Sequence, residues 1–276
     1  MKLTSAFWLV LAGVFVTANV YLFSTAPEPL IKKNEAKVTF SIEEALTALS
    51  FENDITRTVY TREIVGGGKK NGLKFSEKWA DEDVHAGPLP ALFLRGIAGS
   101  LSRSSVPLDL YLGSDYPIES SNLFEGIQAE KFAEIRADGE PKFFYDDRTS
   151  AYTAMFPDIA TAMPCVSCHN THEQSAKKDW VLNDIMGATT WSFPSDSITT
   201  DEWVEMLSAY RAGVAETYGV YLAKAGAFPE ELRPVIGGGW PKSQAQLPSP
   251  EMLRDTIDQL TSQKLMEFLV AHAVES

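Results

Sequence analysis

Cys165-Val166-Ser167-Cys168-His169 decides how the rest of this chain is read, because C-x-x-C-H is the attachment signature of a c-type haem. Two thiols add across the two vinyl groups of the porphyrin, and a two-residue spacer lets one helical turn present both sulfurs to the same edge of the macrocycle. The adjacent imidazole then falls under the iron. Cys165 and Cys168 are the only 2 cysteines in the sequence, so no third thiol pairs with either or ligates the metal. A local zinc site drawing on Cys165, Cys168 and His169 or His172 would need four ligands held tetrahedrally, more than so short a segment supplies. A thioredoxin-like dithiol would open a helix in a βαβ pattern, which is not seen here. A plain disulfide remains open for an exported protein but leaves His169 without a role. The motif predicts one covalent haem c carried by Cys165 and Cys168, with His169 as the proximal iron ligand.

Far upstream of the motif, Ala6 to Phe23 (AFWLVLAGVFVTANVYLF) is an apolar run preceded by Lys2, which reads as a signal peptide or a short transmembrane helix. Ser24-Thr25-Ala26 offers small residues for cleavage, but Pro27 follows at once, and the run is long for a signal core. The favoured reading is an uncleaved N-terminal membrane anchor. Lys32 and Lys33 after the run leave its orientation unsettled. Haem attachment settles it, since that chemistry is expected outside the bacterial cytoplasmic membrane, and so the body is expected in the periplasm at the inner membrane.

The 276 residues suffice for one large domain with an appendage. A formal charge of −13 argues against nucleic acid as a partner and against docking of the body on anionic lipid heads. After the anchor, Pro27-Glu28-Pro29 and the polar run to Lys37 read as a tether. Ser41 with Glu44 is a capping box, and Ala48, Phe51, Ile55 and Val59 recur at helical spacing, predicting a helix to about Ile64 that Gly66-Gly67-Gly68 stops. Gly87-Pro88-Leu89-Pro90 is a turn leading to a helix over Ala91 to Ser102. Leu108-Leu110-Leu112 alternates as a strand, Phe124 to Ala137 is helical, and strands are expected at Lys142 to Tyr145, Ser150 to Phe156 and Ile185 to Phe193, the last with an aromatic face. From Ser197 the pattern is helix only, with a second capping box at Thr199 and Glu202, an irregular hinge at Gly237-Gly238-Gly239-Trp240-Pro241, and a last helix opened by Pro250. Its apolar side holds Leu253, Ile257, Leu260 and Leu269. Together these predict an α+β body, divided as 1–26 anchor or signal segment, 27–40 tether, 41–196 haem domain and 197–276 helical extension, which packs on the body or on a second copy in a homodimer.

Tyr60-Thr61-Arg62, Gly87-Pro88-Leu89-Pro90-Ala91, Ser114-Asp115-Tyr116-Pro117 and Cys165-Val166-Ser167-Cys168-His169-Asn170-Thr171-His172 with Lys177-Lys178-Asp179-Trp180 resemble the Tll0287-like haem domain, DUF3365, over about residues 40 to 195. The resemblance implies a PAS-like antiparallel sheet with flanking helices. It also implies a c-type haem sensor of the kind found as the periplasmic input of cyclases, histidine kinases and chemotaxis receptors, or standing alone. By the same resemblance Cys165 and Cys168 carry the haem and His169 is proximal. At least one member of that family is thought to use a cysteine as distal ligand, which cannot apply where both thiols are committed. No second span or output domain is read after residue 196, so signalling would need a partner.

For the sixth iron position the candidates are His85, Met155, Met163 and His172, or no protein ligand. His172 and Met163 are tied by the backbone to the proximal side, which leaves His85, in a polar loop, and Met155, on a strand where core filling is the ordinary use of methionine. Arg95, on the helix after the proline turn, is a candidate haem-propionate partner or a solvated edge. The expected function is a redox or gas sensor with a signalling partner. Electron transfer with a redox partner is the second reading, and peroxidase-type catalysis, for which His85 could serve as acid–base group, is a weaker third.

Overall fold

Ser41 and Glu44 make the reciprocal capping box: the Glu44 amide donates to Ser41 Oγ at 3.2 Å and the Ser41 amide to the Glu44 carboxylate at 2.9 Å. Helix α1 (Ile42–Val59) grows from it and buries Ile42, Ala45, Leu46, Leu49 and Val59. The computed structural model describes residues 38–275, with side chains through 264 and at Met266; the apolar run 6–23 and the tether to residue 37 lie outside the described residues. Among the described residues no helix is long and apolar enough to cross a membrane.

The helix does not stop at the glycines. It passes through a π-helical segment (Tyr60–Gly66) into α2 (Gly67–Lys70), so Gly66-Gly67-Gly68 is helical, contrary to the expectation from sequence. A Cβ on Gly67 would lie 2.9 Å from the Pro241 carbonyl oxygen. The glycine therefore serves close approach of two backbones, and the chain turns only at Gly72, whose φ is +92°. Asn71 seals the end by donating to the Gly67 and Pro241 carbonyls at 2.9 and 2.8 Å.

Two-residue strands β2 (Phe75–Ser76) and β3 (Gly87–Pro88) pair in parallel, and Pro90 opens α3 (Pro90–Leu101). Tyr60 stacks on Phe93 with ring centroids 3.9 Å apart and donates its hydroxyl to the Pro88 carbonyl at 2.7 Å, which fixes the π segment against the proline turn.

Strands β4 (Asp109–Gly113), β5 (Lys142–Asp146), β6 (Ala151–Ile159) and β7 (Ile185–Phe193) form one antiparallel sheet in the order β4-β7-β6-β5. Helix α4 (Ile127–Asp138) covers one face, where Phe124, Phe132, Ile135, Met155 and Ala188 pack together. The other face meets α1, α3 and α6 (Thr200–Gly226) in the main core around Trp191, Ala154 and Leu110. With a layer on each side, every residue of β7 except Ile185 is buried, as a central strand requires.

The stretch after Ser197 is not helix alone: β8 (Ser197–Thr199) pairs antiparallel with β1 (Thr39–Ser41), and β9 (Val235–Ile236) pairs with β10 (Gln246–Leu247). The Thr199–Glu202 capping box is present. Helix α7 (Pro250–Glu275) presents Leu253 and Ile257 to the core, while Leu260 is exposed. The described residues from Thr39 onward make one compact unit, and Met206, Tyr210, Tyr218 and Tyr221 of α6 lie in the same core as Trp191. The observed fold is therefore a mixed α/β body with a small antiparallel sheet.

Candidate haem-attachment site

Helix α5 (Met163–Thr171) carries the C-x-x-C-H motif. Ala162 holds extended dihedrals just ahead of it, Pro164 sits in the first turn where no amide is needed, and the Cys165 amide returns to the Ala162 carbonyl at 3.0 Å. Residues i, i+3 and i+4 share a helix face, which places Cys165, Cys168 and His169 side by side. Val166 is buried with Ala160, Trp180 and Met186, and Cys165 packs against the same cluster. That contact seats the helix, while Met163 remains 55% exposed.

The loop after the motif is closed on the helix by one side chain. Asn170 accepts the Trp180 amide and donates to the Trp180 carbonyl, both at 2.9 Å. The Lys177 ammonium lies 4.6 Å from the Trp180 ring centroid and pairs with Asp179. The Gln174 amide donates to His172 Nδ1 at 3.2 Å, which leaves His172 Nε2 to face Glu77 at 3.1 Å. His172 is thus engaged locally, as its place three residues past His169 suggests. Ala160 links to Asp184 and Asn183 by backbone hydrogen bonds of 2.9 and 3.0 Å, which ties the helix entry to the start of β7.

Both cysteines are free thiols, each partly exposed. Burial pushes the Cys165 thiol up, with Asp158 adding to the effect and Arg57 opposing it. Burial also raises Cys168, with Glu77 adding and Lys69 opposing. Burial holds His169 below the ordinary histidine range, against the pull of Asp158 and Glu77, so the ring is neutral and offers a lone pair. His169 Nδ1 is buried with no hydrogen-bond partner among the described residues. Two free thiols and a neutral imidazole on one helix face are the donor set a covalently held haem requires, and the residues present fit that group.

Four further residues surround the motif and escape sequence reasoning: Arg57 of α1, Lys69 of α2, Glu77 after β2 and Asp158 at the end of β6. They come from segments up to 101 residues apart in one contact, Arg57 with Asp158, and no spacing rule signals such a meeting. Met155 is fully buried on the α4 face of the sheet, and Asp158, three residues on along an alternating strand, points to the opposite face. Met155 therefore packs as core on that face. His85 is half-buried in its loop with its ring edge-on to Phe228 at 5.4 Å. Arg95 is exposed on the outer side of α3, the solvated-edge alternative.

Cys165, Cys168 and His169 thus share one face of a helix mounted beside an antiparallel sheet. The Tll0287-like family profile matches residues 32–194, and the chain belongs to that family, a family of c-type haem domains. No curated protein and no solved structure matches the chain.

Proposed function

We propose that this protein is a monohaem c-type sensor, anchored by its N-terminal apolar run with its body in the bacterial periplasm, and that it signals through a partner protein. The observation that carries the proposal is the single helix face holding Cys165, Cys168 and His169. Cys165 and Cys168 would form the two thioether bonds and His169 would hold the iron. When bound there, the haem supplies reversible one-electron chemistry and, if one axial position is open, binding of small gases.

The chain's own residues do the rest. Val166 and the Asn170–Trp180 clamp fix the helix, and Glu77 holds His172 by its Nε2. Asp158, bonded to Arg57 at 2.6 Å, connects the strand that enters the motif with α1. That connection supports sensing, because strain or charge at the motif reaches a long helix capped at Ser41, next to the segment that leads to the anchor. A PAS-like classification of the sheet belongs to the same proposal and draws on the four-stranded antiparallel order with helices on both faces.

One observation favours electron transfer as the second reading. Ile159, Met163, Val181 and Leu182 are all exposed on the segments that frame the motif, and an apolar rim beside a redox group suits transient docking of a protein partner. No catalytic residue is assigned.

The discriminating experiment is the visible spectrum of the oxidised, reduced and CO-treated protein, followed by exchange with small soluble cytochromes. CO binding or a redox-linked change in partner affinity supports sensing. A six-coordinate, CO-silent haem that exchanges electrons rapidly with those cytochromes supports the second reading.

A further inference from the structure

We propose that the Arg57–Asp158 ion pair sets the reduction potential of the haem held at Cys165 and Cys168, the carboxylate favouring the oxidised state and the guanidinium opposing it. The inference rests on the haem reading above.

Its geometry is particular. Arg57 Nη2 lies 2.6 Å from Asp158 Oδ1, and Nη1 donates to Thr189 Oγ1 at 3.1 Å. The two side chains are 25% and 29% exposed, so the pair is only partly screened by water. Two irregularities converge on it. The β6–β7 register shifts at Asp158: it pairs with Gly187 while Ile159 pairs with Ile185, so Met186 of β7 is the extra residue in the strand beside the pair. Three residues after Arg57 the helix becomes π-helical, a departure common beside functional groups. Asp158 is seven residues ahead of Cys165, and its charge acts on both the Cys165 thiol and the His169 ring, while that of Arg57 acts on Cys165.

One electron, delivered in the test by dithionite through dissolved mediators, turns ferric haem into ferrous and lowers the positive charge at the iron by one, with no bond made or broken. A nearby anion therefore stabilises the oxidised form and a nearby cation the reduced form.

The test is a spectroelectrochemical titration of the full chain, matured in a host competent for cytochrome c assembly, at fixed pH and salt. Asp158→Asn is expected to move the midpoint potential positive and Arg57→Gln to move it negative. The double variant should return close to wild type, and Asp158→Glu and Arg57→Lys should stay near it. Opposite signs are what distinguish charge from structure, since distortion or wetting of the site would push both single variants the same way. Single variants that both leave the potential unmoved, or move it in one direction, overturn the proposal. Where one single variant fails to mature, the other and the double, which leaves no charge uncompensated, still decide. A wild-type chain with no covalently bound haem on a denaturing gel would instead refute the haem reading itself.

Discussion

Asn170 shows how a short motif is turned into a rigid site by one residue. Its amide satisfies both backbone groups of Trp180, which holds the loop from His172 to Asp184 against α5. Replacing Asn170 by Ala removes two hydrogen bonds worth about 1 kcal/mol each and leaves partly buried partners unpaired. The expected result is a loss of about 2 to 3 kcal/mol in urea unfolding and faster proteolysis within that loop. Met155 gives a contrasting prediction. Met155→Ala opens a cavity between the sheet and α4 and should cost about 3 kcal/mol, while Met155→Leu should leave both stability and the haem absorption bands close to wild type; a lost axial-ligand signature in Met155→Leu would contradict its placement. At this scale the common helix face of Cys165, Cys168 and His169 is legible in the sequence, because it follows from spacing along one helix. Arg57, Lys69, Glu77 and Asp158 are illegible there, since nothing in a linear pattern says which charges a fold will bring to a given helix.

Elements are held in register by small residues at least as much as by large ones. Gly187 of β7 stands opposite Asp158 of β6, and a Cβ there would lie 2.4 Å from the Gly113 carbonyl oxygen of β4. Backbone cannot yield as a flexible side chain would, so Gly187→Ala is expected to cost about 2 to 3 kcal/mol and to disturb the site through the displaced strand pair. Circular dichroism and denaturant midpoints measure the first effect, and the haem spectrum the second. Helix starts were legible to the residue at Ser41 and Thr199, since a capping box is a local device whose partners are three residues apart. The helix stop expected at Gly66-Gly67-Gly68 does not occur, because a glycine run ends a helix or admits a neighbour, and Pro241, which decides the matter, is far away in sequence. The short strand β8 is silent in the sequence for a related reason: three residues carry too little alternation to announce a pairing with β1.

Over the whole molecule, the segment from residue 197 onward is part of the core rather than an appendage to it. Tyr210 packs edge-on to Trp191 at 5.8 Å, and Arg211 binds the buried Glu52 through two hydrogen bonds of 2.7 and 2.8 Å. Ending the chain after residue 196 would expose the core surface covered by Met206, Tyr210, Tyr218 and Tyr221, each worth about 1.5 to 3 kcal/mol on burial, against a total stability on the order of 5 to 15 kcal/mol. The shortened protein is expected to be insoluble or without a cooperative thermal transition, and a well-folded 1–196 fragment would contradict the shared core. Arg211→Met, which strands the Glu52 carboxylate, should cost about 3 kcal/mol, with much of the loss recovered when Glu52→Gln is added. The proposed function requires a single haem bonded to the helix face of Cys165, Cys168 and His169. The direct measurement is the intact mass of the full chain, matured in a host with cytochrome c assembly and then denatured. A polypeptide heavier by one haem is expected, with the increment absent in the Cys165→Ala/Cys168→Ala variant; a mass equal to the polypeptide alone, with both thiols open to alkylation, would show that no haem is bonded there.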